Sequence, residues 1–280
     1  MTYSELSEQI FQKQSYLCVG LDSDPRKLPH HLQTETDPVF TFNKAIIDAT
    51  ADLAVAYKPN IAFYEAQGPR GWESLQKTLE YIPKNCFTIA DAKRGDIGNT
   101  SDLYARTFFD PTAAGFSFDS VTVAPYMGSD SVLPFLAYEG KWVILLALTS
   151  NPGSADFQRQ QLQNSQQSGS HALFDLVIQT AQTWAGVDQL MFVVGATQTS
   201  ELEQIRQLAP DNFLLVPGVG AQGGSLADVS RLGLTKSGGL LVNASRSILY
   251  ASDGTDFADQ ARKEAKQLQQ EMGQYLVKLV

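Results

Sequence analysis

The sequence predicts an α/β chain folded as a (β/α)8 TIM barrel, a single domain spanning 1–280. Eight short apolar runs recur along the 280 residues, each followed by a turn marked by Gly, Pro or Asp. Most of them are continuously apolar rather than alternating, which is how strands covered on both faces read. Amphipathic, helix-like stretches separate the runs, and that alternation builds a parallel sheet with helices outside. The length fits, since such barrels run to about 250 residues as one unit. No linker or composition break divides the chain. An open doubly wound sheet is the alternative reading of the same alternation.

The elements follow in order. YLCVGL (16–21) is the first strand and runs into Asp22. FNKAIIDATADL (42–53) is helical and leads to LAVAYKP (53–59), the second strand, which carries Lys58 near its end. SLQKTLEYI (74–82) is the next helix, and CFTIADAK (86–93) the third strand, ending on Asp91 and Lys93. SVTVAP (120–125) and WVILLAL (142–148) are the fourth and fifth. SNPGSADFQRQQLQNSQQSGS (150–170) then breaks the rhythm, with a helical piece expected around 155–162. A connection that long in a compact domain is a functional loop or an insert. Because it leaves the C-terminal end of a strand, it belongs at the catalytic face of a barrel. LMFVVGA (190–196), FLLVPG (213–218) and GLLVNAS (239–245) complete the strands, with TSELEQIRQLA (199–209) helical between the first two. FADQARKEAKQLQQEMGQYLVKLV (257–280) is a closing amphipathic helix.

Composition bounds the function. The chain is 43% hydrophobic and 18% charged, ordinary globular values that exclude collagen-like and disordered readings. Lys plus Arg number 21 against 30 Asp plus Glu, a net charge of −9. So acidic a surface repels a phosphate backbone, which argues against nucleic acid as a partner. A small phosphorylated ligand remains open, because a few placed cations suffice to hold it. Cys18 and Cys86 lie in apolar runs without metal-ligand spacing and read as buried, reduced thiols. The N-terminal MTYSELSEQIFQKQ is polar, unlike a signal peptide. The longest apolar run, WVILLAL, falls far short of the ~20 residues of a membrane span. The expectation is a cytoplasmic protein with no membrane partner.

The three histidines form no motif: His30 and His31 sit in a polar loop, and His171 is expected to start a helix. HExxH, CxxC and GxSxG are all absent, so zinc hydrolysis and triad catalysis lack their parts. The strand ends carry Asp and Lys instead. Asp91 and Lys93 are two apart on a strand, so both point to one face, the mouth of the barrel. With Lys58 and nearby Asp96 they read as a charge network, since a charge at a buried strand end is costly unless paired or used. A merely stabilising ion-pair cluster at the rim is the alternative. VPGVGAQGG (216–224) satisfies G-x-G-x-x-G, but it sits on the seventh strand and no acidic residue follows at the dinucleotide spacing. It pairs better with NASRSI (243–248), because the loops after strands seven and eight form the recurring phosphate site of barrels. Arg246 could then supply a bidentate charge and Gln222 an amide donor; plain turn glycines are the alternative. Tyr104, Arg106 and Lys44 read as surface or packing residues, and Glu65 as a cap, with approach to the site as its alternative.

Together these pieces resemble the orotidine 5′-phosphate decarboxylase family over almost the whole chain. The family pattern D-x-K-x-x-D-I-x-x-T appears as DAKRGDIGNT, from Asp91 to Thr100. Lys58 in YKPN and Asp22 in VGLD match its earlier strand-end residues, and Ser150 in TSNPG its pyrimidine-side serine. PGVGAQGG and SRSI match its phosphate-side signatures, which places Pro217, Gly218, Gln222, Ser245 and Arg246 among the binding residues. FYEAQG and TSNPG resemble the longer bacterial branch. The resemblance implies decarboxylation of orotidine 5′-monophosphate to uridine 5′-monophosphate, the last step of pyrimidine nucleotide biosynthesis, without metal or organic cofactor. It implies that Asp91 faces the substrate carboxylate and that Lys93 stabilises and protonates the C6 carbanion. Lys58 and Asp96 would hold that lysine and bind ribose hydroxyls. It further implies a homodimer with shared active sites, the Asp96–Thr100 segment completing the partner's. Two rivals remain: a Mg²⁺-dependent sugar-phosphate barrel with the same D-x-K-x-x-D motif, and a catalytically silent nucleotide-binding barrel.

Overall fold

Helix α1 (Tyr3–Lys13) opens the chain, started by a reciprocal cap between Thr2 and Glu5. Strand β1 (Leu17–Leu21) is wholly buried, as its unbroken apolar sequence requires. Helix α2 (Pro38–Thr50) begins with proline in its first turn behind the Asp37 cap and turns Val39, Phe42, Ile46 and Ile47 inward. Strand β2 (Ala56–Pro59), the short α3 (Ile61–Glu65) and α4 (Pro69–Tyr81) follow, then β3 (Phe87–Arg94). Next come α5 (Gly98–Phe109), α6 (Pro111–Ala114), β4 (Ser120–Val123), α7 (Ser129–Leu136) and β5 (Trp142–Leu148). After β5 lie β6 (Gln161–Gln163), β7 (Ser170–Ala172), α8 (Leu173–Ala181), β8 (Leu190–Val194) and α9 (Thr199–Leu208). The chain ends with β9 (Leu214–Pro217), α10 (Leu226–Gly233), β10 (Leu240–Ala244), α11 (Arg246–Leu249) and α12 (Phe257–Leu276). This computed structural model describes residues 1–163, 170–195, 199–218 and 224–279.

Eight of the strands close into a barrel in the order β1-β10-β9-β8-β5-β4-β3-β2, every neighbouring pair parallel. This is the (β/α)8 architecture the alternation predicts, not the open sheet. All eight predicted runs are strands, and the closing tail is α12. Parallel strands need covering helices on the outer face, and the two-sided burial explains why the apolar runs are continuous.

The stretch after β5 corrects the expectation. No α-helix covers 155–162; a 3-10 turn over Pro152–Asp156 leads into the antiparallel pair β6–β7. His171 lies in β7, and α8 starts at Leu173 rather than at the histidine. The reason is composition: a Gln- and Ser-rich run has no apolar face to bury, so its amides bond locally. Gln158 accepts from the Thr149 N–H at 2.7 Å, and the Gln160 amide donates to the Ala155 carbonyl.

An aromatic plug closes the N-terminal end of the barrel. Trp142 packs edge-on against Phe87 and Phe213, stacks with Tyr3, and donates its indole N–H to the Met1 carbonyl. That end is filled, which leaves the C-terminal strand ends open for chemistry. No helix among the described residues is long and apolar enough to cross a membrane.

Candidate active site

Three strand ends converge on one carboxylate. Lys58, from β2, is 4% exposed and its ammonium donates to Asp91 Oδ2 at 2.6 Å. Lys93, at the end of β3, donates to the other oxygen, Asp91 Oδ1, at 2.5 Å. Asp22, just beyond β1, places Oδ1 3.9 Å from the Lys58 ammonium. The four charges alternate in sign, which is how ions survive at buried strand ends.

The electrostatics follow from that packing. Burial alone would raise the Asp91 carboxyl, but Lys58, and after it Lys93, holds it well below the usual carboxylate range. Burial alone would lower Lys58, and the Asp91 and Asp22 carboxylates reverse this, holding its ammonium above the ordinary value. At Cys18, beside the cluster, burial outweighs the opposing pull of the Lys58 ammonium and pushes the thiol up to about 12. Cys18 and Cys86 are both buried and unbridged.

Two cavities meet at this cluster, with Lys58, Asp91 and Pro217 lining both. One, of about 170 Å³, runs from Asp22 to Gly218, Ser245 and Arg246, joining the β1 end to the ends of β9 and β10. The other, of about 200 Å³, runs from Lys93 to Thr149, Ser150 and Asn151 after β5, over an apolar floor of Leu146, Val193 and Leu215. The first is therefore polar with a cation at its far end, and the second is half apolar. Asp22 Oδ1 is buried and accepts no hydrogen bond among the described residues, so it is left to a ligand donor.

Backbone features fix these positions. A Cβ on Gly20 would lie 2.0 Å from Ser245 Oγ, so only glycine lets β1 pass beside Ser245. Gly195, after β8, does the same for Ser150, whose backbone N lies 2.8 Å from where a Cβ would sit. The Tyr250 hydroxyl donates to the Asp22 carbonyl at 2.8 Å and accepts from the Asp24 N–H at 3.0 Å, tying the Asp22 turn to the end of α11.

Of the residues singled out from sequence, Asp22, Lys58, Asp91, Lys93, Ser150, Pro217, Gly218, Ser245 and Arg246 line these two cavities. Gln222 lies outside the described residues. Asp96 stands apart, a correction to the four-charge network: its carboxylate accepts from the Ile97 N–H, and no ion pair joins it to Lys93 among the described residues. The chain leaves β3 through a left-handed Lys93, φ 48°, and turns outward, so Asp22 takes the fourth place. Thr100 is exposed on α5. Among the described residues Glu65 pairs with Arg94 rather than capping a helix. Lys44 pairs with Asp48, Arg106 with Asp110, and Tyr104 lies against Arg94, all peripheral.

Two lining residues went unread in the sequence. Asn243, within β10, donates to Ser245 Oγ at 3.2 Å, and Thr122, within β4, touches both Asp91 and Lys93. Each is a polar residue inside an apolar run, and that is the signal available, since a buried polar group demands a partner. Among the described residues no three His, Cys, Asp or Glu side chains group to hold a metal ion.

Comparison with known proteins adds four findings. The sequence profile of the orotidine 5′-phosphate decarboxylase / HUMPS family matches residues 15–261. An orotidine 5′-phosphate decarboxylase of Flavobacterium johnsoniae is 57% identical over 279 residues, 99% of this chain and 98% of that protein. One of Bacteroides fragilis is 55% identical with the same coverage. Among solved structures, Leishmania donovani OMP decarboxylase superposes with a TM-score of 0.81 at 33% identity, covering 99% of both chains.

Proposed function

The chain belongs to the orotidine 5′-phosphate decarboxylase / HUMPS family, and from that premise we propose that it converts orotidine 5′-monophosphate to uridine 5′-monophosphate and CO2, closing pyrimidine nucleotide biosynthesis. The observation that carries this reading is the Asp91 carboxylate between two ammonium groups at the junction of the two cavities. The polar cavity suits ribose phosphate, with Ser245 and Arg246 at its far end, and the half-apolar one suits a pyrimidine beside Ser150. Pro217 and Gly218 line the phosphate side, and the match to the family signature assigns Gln222 the part of an amide donor to phosphate.

The chemistry follows from charge. A substrate carboxylate about 4 Å from Asp91 is repelled by on the order of 4 kcal/mol at an effective dielectric of about 20. That repulsion disappears as the bond from C6 to the carboxylate breaks and neutral CO2 leaves. The bonding pair stays on C6, where the Lys93 ammonium stabilises it and then donates a proton, leaving a neutral amine that regains its proton from water. Enzymes lower barriers by roughly 8–23 kcal/mol, and a vinyl carbanion needs the upper part of that range. Repulsion alone is too small, so stabilisation by Lys93 carries most of the effect. Phosphate binding at Arg246 supplies remote binding energy for closing the site, with the loop from Ser150 onward as its cover. Asp22 Oδ1 and Lys58 take ribose hydroxyls.

We infer a homodimer in which Asp96 and Thr100 of each copy complete the other copy's site. Asp96 lies outside its own cluster, and beside it Ile97 and Leu103 are more than half exposed.

The deciding experiment is CO2 release from orotidine 5′-monophosphate by purified protein in excess EDTA. Rapid release is expected. No release, with Mg²⁺ restoring activity on a sugar phosphate, would reject the reading in favour of the metal-dependent barrels.

A further inference from the structure

Strand β3 does not run regularly to its end. Ala90 pairs with Val121 of β4, and the next pair is Arg94 with Val123. Asp91, Ala92 and Lys93 therefore stand opposite Thr122 alone, a bulge that interrupts the backbone ladder. Within it Lys93 adopts φ 48°, the left-handed region disfavoured for any residue with a β-carbon. The neighbouring Ala92–Lys93 peptide is held at both ends. Its N–H, from Lys93, donates to Thr122 Oγ1 at 2.9 Å, and its C=O, from Ala92, accepts from Arg94 Nη1 at 3.0 Å. These groups point opposite ways across a trans peptide, so the two contacts grip it from both sides.

Each grip is itself anchored. Thr122 is 1% exposed, and its hydroxyl also reaches Asp91 Oδ1 at 3.3 Å, so one side chain touches both the lysine's backbone and its counter-ion. The Arg94 guanidinium is paired with Glu65 of α3 and lies over the Tyr104 and Phe108 rings of α5, 5.5 and 5.9 Å from their centroids. Thr122, Arg94, Glu65, Tyr104 and Phe108 all lie outside the lining of the cavity that runs to Ser245 and Arg246.

We propose that Thr122 and Arg94 are positioning residues for the proton donor: they clamp the Ala92–Lys93 peptide in the kink that directs the Lys93 ammonium back to Asp91. The inference rests on the reading of Lys93 as the acid that protonates C6. A proton donor must lie within hydrogen-bond reach of its target, and a displacement of about 1 Å costs roughly 100-fold in rate. The clamp therefore acts on turnover, while nucleotide affinity is set by the groups at the β1, β5, β9 and β10 ends.

The test compares Thr122→Val, which keeps the shape and removes the hydroxyl, with Thr122→Ser, which keeps the hydroxyl. Steady-state CO2 release is measured alongside uridine 5′-monophosphate affinity and amide hydrogen exchange at Lys93. For Thr122→Val the expected result is a kcat lower by roughly 10–100-fold. KM and product affinity should stay within about twofold, and the Lys93 amide should exchange faster. Thr122→Ser should recover most of the lost kcat and the slow exchange. A folded Thr122→Val enzyme with wild-type kcat overturns the proposal, as does a loss shared between kcat and KM that serine does not rescue. If Thr122→Val does not fold, Arg94→Met releases the carbonyl end alone and is judged by the same readouts. Wild-type protein that releases no CO2 rejects the decarboxylase reading; the exchange at Lys93 then still decides whether the clamp exists.

Discussion

Replacing Asp91 by asparagine removes the charge on which two lysines depend, and the structure sets the size of the response. The Lys58 ammonium lies 2.6 Å from Asp91 and 3.9 Å from Asp22. At an effective dielectric of about 20 those separations correspond to attractions of roughly 6 and 4 kcal/mol. Lys93 is half exposed, so solvent screens its share and Lys58 dominates. In Asp91→Asn the buried Lys58 keeps only the weaker partner, and breaking a buried pair from one side costs about 3–5 kcal/mol. Urea unfolding at pH 7 should register that loss. The double variant Lys58→Met/Asp91→Asn should recover most of it, because a buried methionine carries no uncompensated charge. An Asp91→Asn protein within about 1 kcal/mol of wild type would refute the mutual-compensation argument. So would a double variant no more stable than the single one. The same change removes the repulsion of the substrate carboxylate, so substrate affinity should rise while turnover collapses.

The pH dependence of that variant checks the sign. The Asp91 carboxyl is held below its ordinary 3.8 in the folded protein. Its contribution is therefore present above pH 3.8 and is lost as pH falls through the lower folded value. Lys58 is held above its ordinary 10.5, so its contribution is present below that pH and is lost as pH rises through the folded value. The free energy of unfolding, measured from neutral to acid pH, should fall more steeply in wild type than in Asp91→Asn.

Gly20→Ala sets a Cβ 2.0 Å from Ser245 Oγ and 3.0 Å from Ser245 Cβ and Asn243 Oδ1, so Ser245 must shift at the cavity end that Arg246 also lines. Uridine 5′-monophosphate should bind at least tenfold more weakly while uridine is little affected; equal losses for both would contradict a phosphate role for this end. Gly195→Ala crowds the Ser150 backbone and should impair pyrimidine recognition, read as weaker binding of both nucleotide and nucleoside. Analytical ultracentrifugation should find a dimer, and a fully active monomer would exclude shared sites.

The barrel was legible because its strands are buried on both faces and so read as unbroken apolar runs, and the catalytic end because charges do not sit at strand ends unpaired. What stayed hidden has local physical causes. DAKRGD reads as a regular strand end, and nothing in it announces a lysine at positive φ, since the residue that permits such a backbone is normally glycine. The period-two argument still placed Asp91 and Lys93 on one side, but the contact is made through a bulge rather than through strand alternation. Asp96 was drawn into the cluster by its spacing and by the family pattern, and the outward turn after Lys93 keeps it apart from the cluster of its own copy. Thr122 and Asn243 escaped because neutral side chains carry no charge signal, although a buried polar residue within SVTVAP or LLVNAS is itself a demand for a partner. The β6–β7 pair was unreadable, its Gln and Ser residues favouring neither period.

The two ends of the barrel divide the work. At the N-terminal end, aromatic packing around Trp142 is stabilising and chemically inert. At the C-terminal end, Asp91 binds both lysines, and in the proposed reaction it must also repel a substrate carboxylate, two opposed demands. A carboxylate fully neutralised by Lys58 and Lys93 would repel nothing, and one left bare would unfold its own strand end. Half exposure of Lys93 reconciles the two. Lys58 holds Asp91 ionised from within, while Lys93 faces the cavity and stays available to the substrate. The kink at Lys93 is what allows one residue of a buried strand to reach solvent and still touch Asp91. A lysine in regular strand geometry would lack the Thr122 contact that ties its backbone to its counter-ion. The irregular strand end is thus the feature that lets a stable ion cluster also be a reactive one.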